Sequence, residues 1–329
     1  MDSVVELTTH GGSAGAATAV NDAAFASAFA ALASGGYLVL PLGAIDIGVP
    51  ISLPANVSLI GSGRATIIRA GAAITGGLVE ITGTPLAYKE GHRIENLSLY
   101  GADLATYGIK LDCAIYSNVI RNVRIRDCSG AGILTVAQLE NFTGGCWGNT
   151  IDNAQIFYCG RGIHLGQSSN LTRILNSNIK ECTGIGIYGE TSTAVNVIGT
   201  SIEKNGTAGV EEVGIKVVGG TVWNISGCYF EANGVGAGVD IETAANALIP
   251  YHVDGLTVQG CYFNGLETFS GGEVTVPAKS AHALRVAGGA VAVLGGYSWR
   301  HSGTAFSAGV DGTITNYGLV CEDRLGLTA

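Results

Sequence analysis

The chain has 329 residues, of which 47% are hydrophobic, 13% are charged and 51 are glycine. This balance excludes a disordered chain and is typical of an all-β protein with glycine-rich turns. The formal net charge of −9 argues against a nucleic-acid-binding protein, because no basic stripe is present to neutralise phosphates.

The first predicted element is a short amphipathic helix near the N-terminus. The Asn21-Asp22 pair is predicted to be its N-cap, and Phe25, Phe29 and Leu32 would lie on one face. A helix at this place would cover the open end of the strands that follow. The preceding stretch MDSVVELTTHGG lacks the basic and apolar regions of a secretory signal peptide, and no apolar run reaches the roughly 20 residues of a membrane span. Neither export by that route nor membrane insertion is therefore expected.

Short apolar runs broken by proline and glycine follow the helix. A small helix followed by GG-x-LVLP and LP-x-NVSLIG-x-G resembles the opening of the pectate-lyase-like right-handed parallel β-helix proteins. That superfamily includes polysaccharide lyases and hydrolases, epimerases and bacteriophage tailspikes. The resemblance covers roughly residues 20–70. It implies an all-β fold, a single-stranded right-handed parallel β-helix with a short N-terminal capping α-helix.

A phrase of two short apolar runs joined by a glycine-rich turn recurs across the middle of the chain. Equivalent points are occupied by Cys128, Cys159 and Cys182 and then by asparagines, at intervals of about 23–31 residues. The shortest interval suits one turn of a parallel β-solenoid, and the longer ones would carry loop insertions. We therefore predict a lead-in and capping helix at 1–36, a parallel β-helix at 37–300 and a C-terminal rung or closing segment at 301–329.

Residues at one point of the phrase are predicted to stack in columns about 4.8 Å apart, the spacing of paired strands. The large inward column is Ile125, Ile156, Ile179, Ile202, Phe230 and Phe263. The small inward column is Val123, Ala154, Ser177, Thr200, Cys228 and Cys261. An outward column is Arg126, Phe157, Lys180, Glu203, Glu231 and Asn264. No cysteine spacing here is typical of a zinc site. The stacking of the cysteines would permit a disulfide, but buried free thiols are expected, because cysteine packs as a small hydrophobic residue.

The sharpest candidate site is the pair Glu203 and Glu231, which share the outward column and would lie one strand spacing apart. Glycosidases use two carboxylates, about 5–5.5 Å apart for retention or about 6.5–9.5 Å for inversion. We predict that both glutamates are catalytic. Arg126 and Lys180 of the same column, and Tyr229 beside Glu231, are predicted to bind substrate. The alternative is that all of them are solvated surface residues.

A second outward column is predicted after the turn, and it consists of Leu134, His164, Tyr188, Lys216, Asp240 and Arg285. In it, His164, Tyr188 and Lys216 would bind sugar hydroxyls, and Asp240 would be a third catalytic carboxylate. The alternative is a chance alignment of unrelated surface residues. Asp240 and Asp254 do not make the acidic cluster that a calcium-dependent lyase needs. No metal and no cofactor are therefore expected.

Three functions stay open on the sequence. The first, which we favour, is a bacteriophage tailspike-like or tail-fibre-like receptor-binding protein that binds a bacterial surface polysaccharide. Depolymerisation of that polysaccharide, by hydrolysis or by elimination, is left open. It would be a homotrimer in the virion, in contact with other virion proteins, or extracellular. The second is a secreted polysaccharide lyase or glycosidase, and the third is a non-catalytic structural virion protein. Candidate sugar-stacking residues are Trp147, Trp223, Trp299, Tyr229 and Tyr262.

Overall fold

The computed structural model describes two compact units, Met1–Arg173 and Ile174–Ala329. The described residues are 3–84, 87–114, 116–136, 145–207, 209, 211–234, 238–244, 253, 255–264, 282–286, 289–299, 306–308, 312–316 and 319–322. Each unit consists of short parallel strands that the chain contributes alternately to two sheets.

The N-terminal helix is confirmed, but its predicted N-cap is wrong. The first unit starts with β1 (Val4–Glu6), a 3-10 turn (Leu7–His10) and α1 (Thr18–Ala31), whose N-cap is Ala17. Asn21 lies inside the helix and is buried. Its side chain does not cap the helix, because it bonds backbone groups that lie outside the helix. It accepts from the Ser13 amide at 3.0 Å and donates to the Asp46 carbonyl at 3.0 Å. These bonds tie the helix to the strand that contains Asp46.

The remaining strands of the first unit form two sheets, A1 and B1. The strands are β2 (Gly36–Val39), β3 (Gly43–Ile47), β4 (Ile51–Ser52), β5 (Val57–Ile60), β6 (Thr66–Ala70), β7 (Ile74–Thr82), β8 (Arg93–Tyr100), β9 (Ala105–Asp112), β10 (Val119–Arg126), β11 (Ala131–Val136), β12 (Thr150–Asp152), β13 (Gln155–Phe157) and β14 (Arg161–Leu165). B1 contains β4, β7, β9, β11 and β14, and A1 contains the others together with β1. β15 (Arg173–Leu175) contains the boundary between the two units, which falls between its first two residues. The named ladders are parallel, as predicted.

The second unit repeats this arrangement in sheets A2 and B2. The strands are β16 (Asn178–Lys180), β17 (Ile187–Glu190), β18 (Asn196–Ile198), β19 (Ser201–Glu203), β20 (Val213–Val218), β21 (Asn224–Ser226), β22 (Tyr229–Glu231), β23 (Val239–Ala244), β24 (Leu256–Asn264), β25 (His282–Val286), β26 (Gly289–Trp299), β27 (Phe306–Ala308), β28 (Gly312–Asn316) and β29 (Leu319–Glu322). B2 contains β17, β20, β23, β25 and β27, and A2 contains the others. The domain boundaries at residues 36 and 300 stay predictions.

The core of each unit is built from the predicted inward columns. In the first unit Ile125 pairs with Ile156, and in the second the register runs from Ile179 through Ile202 and Phe230 to Phe263. All six side chains are buried. The rings of Phe230 and Phe263 stack with centroids 4.8 Å apart and an interplanar angle of 14°. The predicted small column is buried as well.

The predicted thiols are buried and form no disulfide in the part of the chain that the structure describes, where they are Cys113, Cys128, Cys146, Cys159, Cys182, Cys228 and Cys261. Burial raises the pKa of the Cys146 thiol to about 12. The pKa of Cys128 is also raised, by its hydrogen bond with Cys159 and by burial. The side chain of Cys321 lies outside the described residues. The cysteines therefore pack as small hydrophobic residues.

The first unit contains a buried histidine whose surroundings disfavour its protonated form. His92 is fully buried, its Nδ1 lies 2.7 Å from the Val57 carbonyl oxygen, and its Nε2 has no hydrogen-bond partner among the described residues. Burial lowers the pKa of His92 below its ordinary value of 6.5, Lys89 lowers it further, and the bond to Val57 opposes the shift. The folded chain therefore holds His92 neutral under conditions in which the unfolded chain would protonate it.

We expect the stability of the protein to fall as the pH drops below about 6.5, because only the unfolded state then takes up the His92 proton. The measurement compares thermal unfolding midpoints at pH 8 and pH 5 for the wild type and for His92→Asn. The variant cannot titrate, so its midpoint should fall less between the two pH values, whatever its stability at pH 8. Equal falls in both proteins would contradict this assignment.

Candidate functional site

The outward face of sheet A2 contains the predicted carboxylate pair. Lys180 pairs with Glu203, Glu203 with Glu231, and Glu231 with Asn264, on four successive strands. The predicted column is thus confirmed in this unit. Glu203 and Glu231 lie one strand spacing apart, about 4.8 Å between backbones. Both side chains leave the sheet on the same side, which places the two carboxyl groups next to each other.

Local hydrogen bonds hold the two carboxylates in place. The Tyr229 hydroxyl donates to Oε2 of Glu231 at 2.7 Å, and the Ser201 hydroxyl donates to Oε1 of Glu203. Glu231 is only 6% exposed, whereas Glu203 is partly exposed. Burial, the bond to Glu231 and the charges of both glutamates raise the pKa of Tyr229 to about 12. Tyr229 therefore stays a donor at physiological pH. The contribution of Ser201 was not foreseen, although its outward position could be read from the alternation.

Two tyrosines form a flat surface beside this pair. The rings of Tyr229 and Tyr262, on paired strands, stack with centroids 5.4 Å apart and an interplanar angle of 3°. Both rings are partly exposed, which suits stacking against the apolar face of a sugar ring. We name Lys180, Ser201, Glu203, Tyr229, Glu231, Tyr262 and Asn264 the A2 site. It combines carboxylates, a cation and an aromatic surface on one sheet face.

Two of the three tryptophans that were predicted to stack against sugars differ in their exposure to solvent. Trp223 is fully buried and its Nε1 donates to the Ser192 carbonyl at 2.9 Å, so the prediction that it stacks against a sugar is wrong. Trp147 is partly exposed and packs against Tyr88 and Tyr116, with ring centroids 6.0 and 6.4 Å away. The side chain of Trp299 lies outside the described residues. The buried indole packs directly over Gly189, where an added Cβ would lie 2.4 Å from the ring.

The second predicted column is confirmed only in part. In sheet B2, Tyr188 pairs with Lys216, Lys216 with Glu242, and Glu242 with Arg285. Lys216 Nζ lies 3.1 Å from Oε1 of Glu242, and Arg285 contacts its other oxygen. Glu242, not Asp240, therefore occupies the outward position. The Lys216–Glu242–Arg285 cluster is an ion-pair network on a different sheet from the A2 site.

Asp240 points into the protein rather than out of it. It is fully buried, and its Oδ1 accepts from Asn233 Nδ2 at 2.9 Å. Asn233 in turn accepts from Asn205 Nδ2 at 3.0 Å and donates to the Ile202 carbonyl at 2.9 Å. The outward placement of Asp240 was therefore a wrong prediction. Its carboxylate accepts a hydrogen bond from the end of a ladder of buried asparagines, away from the outward face of the sheet.

The last two predicted binding residues lie in the first unit. His164 pairs with Leu134 in sheet B1, and its Nδ1 lies 3.4 Å from Arg161 Nη1. Arg126 in sheet A1 pairs with Phe157. The structure therefore brings together four of the nine predicted site residues, which are Lys180, Glu203, Tyr229 and Glu231. The roles given to all nine stay predictions.

Neither a metal site nor a membrane span is found in the part of the chain that the structure covers. There, no three His, Cys, Asp or Glu side chains come close enough to hold a metal ion. Within the same residues, no helix is long and apolar enough to cross a membrane. The expected absence of a metal or cofactor stays a prediction.

Comparisons with known proteins identify the family. A family model described as the right-handed beta helix region matches residues 88–276, and no curated protein sequence matches the chain significantly. Among solved structures, the chain is similar to the Agl-KA catalytic domain, with 18% identity and a TM-score of 0.73, over 95% of this chain and 57% of that one.

Two bacteriophage proteins are similar as well. One is the enzymatically active domain of tailspike protein 2 of bacteriophage CBA120, with 15% identity and a TM-score of 0.61, over 90% of this chain and 48% of that one. The other is the N-terminal fragment of gene product 12 of bacteriophage Phi29, with 17% identity and a TM-score of 0.61, over 94% of this chain and 65% of that one. The chain thus spans less than two thirds of each structure, and identities this low show the fold alone. Because the family model covers more than half of the chain and the strands pair in parallel as it requires, the chain belongs to the right-handed parallel β-helix family, with the fold of bacteriophage tailspikes.

Proposed function

We propose that this chain is a bacteriophage receptor-binding protein that binds a bacterial surface polysaccharide at the A2 site and hydrolyses it there. The observation that carries the proposal is the pairing of Glu203 with Glu231 on adjacent strands, beside the stacked rings of Tyr229 and Tyr262. The similarity to a tailspike domain that is named as enzymatically active supports it.

The A2 site has the groups that glycoside hydrolysis requires. One carboxyl group would protonate the departing glycosidic oxygen, and the other would act as the base or the nucleophile at the anomeric carbon. Water supplies the hydroxyl group that the anomeric carbon gains and the proton that restores the acid. The tyrosine pair would hold the sugar ring flat against the sheet, and Lys180 would donate to its hydroxyls. No metal takes part in this scheme.

The test is a glycan array of bacterial surface polysaccharides, followed by size-exclusion analysis of the best ligand after incubation with the protein. We expect tight binding of at least one polysaccharide and a shift to shorter chains. Binding without shortening would leave a receptor-binding protein and remove the hydrolase. If the protein neither binds nor shortens any polysaccharide, the proposal fails.

The variant Tyr262→Ala is expected to bind the best ligand about two- to tenfold more weakly, because it removes half of the stacked surface. Titration of the ligand against both proteins measures the change. Tyr116→Ala is the control, since Tyr116 is an exposed tyrosine of the first unit, outside the A2 site. Equal losses in the two variants would show that the tyrosine stack is not the binding surface.

We further propose that the protein is a homotrimer in the phage tail, in contact with other virion proteins. Tailspike similarity supports this location. Light scattering on the purified protein would test the trimer, and mass spectrometry of purified virions would test the location. A secreted lyase or glycosidase would instead be found in culture medium without particles.

A further inference from the structure

Sheet A1 presents an outward cluster of arginines and aromatic rings, which we name the A1 patch. Arg124 and Arg126 lie two residues apart on β10, so their side chains leave the same face of the sheet. Arg126 pairs with Tyr100 on one neighbouring strand and with Phe157 on the other, and Tyr158 follows Phe157. The A1 patch consists of Tyr100, Arg124, Arg126, Phe157 and Tyr158, all in the first unit.

Most arginines on this face are already paired with carboxylates. Arg121 lies 3.1 Å from Asp152 and 3.8 Å from Glu95. Arg69 donates to both oxygens of Asp46, at 2.6 and 2.9 Å. Their guanidinium groups are thus committed to partners within the chain, and an external anion would have to displace those carboxylates.

Arg124 differs from these arginines. Its Nε and Nη2 lie 3.4 and 3.3 Å from the neutral Oε1 of Gln155, and no carboxylate of the described residues lies within ion-pair distance. Its charge is therefore uncompensated locally. A guanidinium has five N–H donors, so most of the donors of Arg124 are available to another acceptor.

Arg126 is held in an orientation that leaves its outer nitrogens available. Its Nε donates to Asp127 at 2.5 Å, and its Cζ lies 5.3 Å from the Tyr100 ring centroid and 5.7 Å from that of Tyr158. The terminal nitrogens have no acceptor among the described residues. Tyr158 is 50% exposed and the Arg126 side chain 40% exposed. The rings restrict the guanidinium, so little freedom is lost when an anion binds.

We infer that the A1 patch binds the carboxylate groups of an acidic polysaccharide. A guanidinium group binds a carboxylate through two parallel N–H···O bonds, and neighbouring aromatic rings pack against sugar faces. The chain has a net charge of −9, so a polyanion would bind only where guanidinium donors stay available. In the A1 patch these donors are those of Arg124, which has no carboxylate partner among the described residues, and the terminal nitrogens of Arg126, whose Nε alone is bonded to Asp127. This inference rests on the proposed function and deepens it, because it assigns the substrate to uronate-like, carboxylate-bearing polysaccharides.

The test uses the best ligand of the glycan array in two forms, native and after chemical reduction of its carboxylates to alcohols. We expect wild-type protein to lose at least tenfold in affinity for the reduced form. Arg124→Gln and Arg126→Gln should each lose about tenfold for the native form, from the loss of a charged hydrogen bond. Reduction of the glycan should then weaken binding by either variant less than it weakens binding by wild type, because each variant has already lost one of the interactions with the carboxylates. The reduction experiment needs no variant, so it is independent of folding defects.

Arg69→Gln is the matched control, because it removes the same charge on the same sheet from a guanidinium already bound by Asp46. We expect its affinity to stay within about twofold of wild type. A loss in Arg69→Gln equal to that in Arg124→Gln would overturn the inference. So would a neutral best ligand, or equal affinity for the native and reduced forms, and the proposed function would survive both results. Binding of no polysaccharide at all would overturn the two proposals together.

Discussion

Phe230→Ala is expected to lower the free energy of unfolding by about 3–5 kcal/mol, the usual loss for a large aromatic residue deleted from a packed core. Phe230 is fully buried and stacks on Phe263 with ring centroids 4.8 Å apart. Its strand pairs with β19 on one side and β24 on the other, so a cavity would affect three neighbouring rungs. Solenoid stability depends on such contacts between neighbouring repeats, so little compensation is expected from elsewhere.

Urea-induced unfolding followed by circular dichroism measures this loss. The matched control is Phe157→Ala, which makes the same chemical change at an outward, partly exposed position. It should cost less than about 1 kcal/mol. Equal destabilisation by the two variants would mean that the stacked column does not carry the stability of the second unit.

The columns could be predicted because strand geometry constrains them tightly. Side chains alternate with a period of two, and a register slip of one residue would expose every apolar group. Ile179, Ile202 and Phe230 could therefore stack in only one way, and they do. The A2 carboxylates were located by the same constraint, since Glu203 and Glu231 each follow an inward residue by one position.

The misplaced aspartate shows where that constraint weakens. Asp240 was placed with Lys216 in the outward column that follows the turn, and the length of this turn varies between rungs. Aligning the apolar residues instead pairs Val213 with Val239, and this register pairs Lys216 with Glu242. Asp240 then takes an inward position, where Asn233 can hydrogen-bond it. The register of these strands is therefore predicted by their apolar residues and not by their distance from the turn.

Two other errors have a common cause. Asn21 and Trp223 carry polar groups that favour helix caps and wet surfaces in general. In this fold both groups are bonded inside the protein, to the Asp46 and Ser192 carbonyls. Sequence position alone cannot show which distant backbone group will need a donor. That information arises only when the rungs are stacked.

Glu203→Gln and Glu231→Gln are each expected to lower the turnover of the polysaccharide by about 10²–10⁴-fold, the usual contribution of a general acid or base. Each substitution keeps the shape of the side chain and removes its ability to exchange a proton. Binding should change much less, because Lys180 and the tyrosine pair remain. The measurement is the rate of new reducing ends, together with the affinity for the intact glycan.

Glu95→Gln is the control for turnover. Glu95 is an outward carboxylate of the first unit, 3.6 Å from Arg93 and 3.8 Å from Arg121, and it lies outside the A2 site. Its loss removes one charge without touching the proposed acid and base, so turnover should stay within about twofold. Unchanged turnover in both A2 variants would show that the glutamates are surface charges. A loss of turnover with affinity retained would separate catalysis from recognition, because the same sheet face would then still hold a polysaccharide that it can no longer cleave.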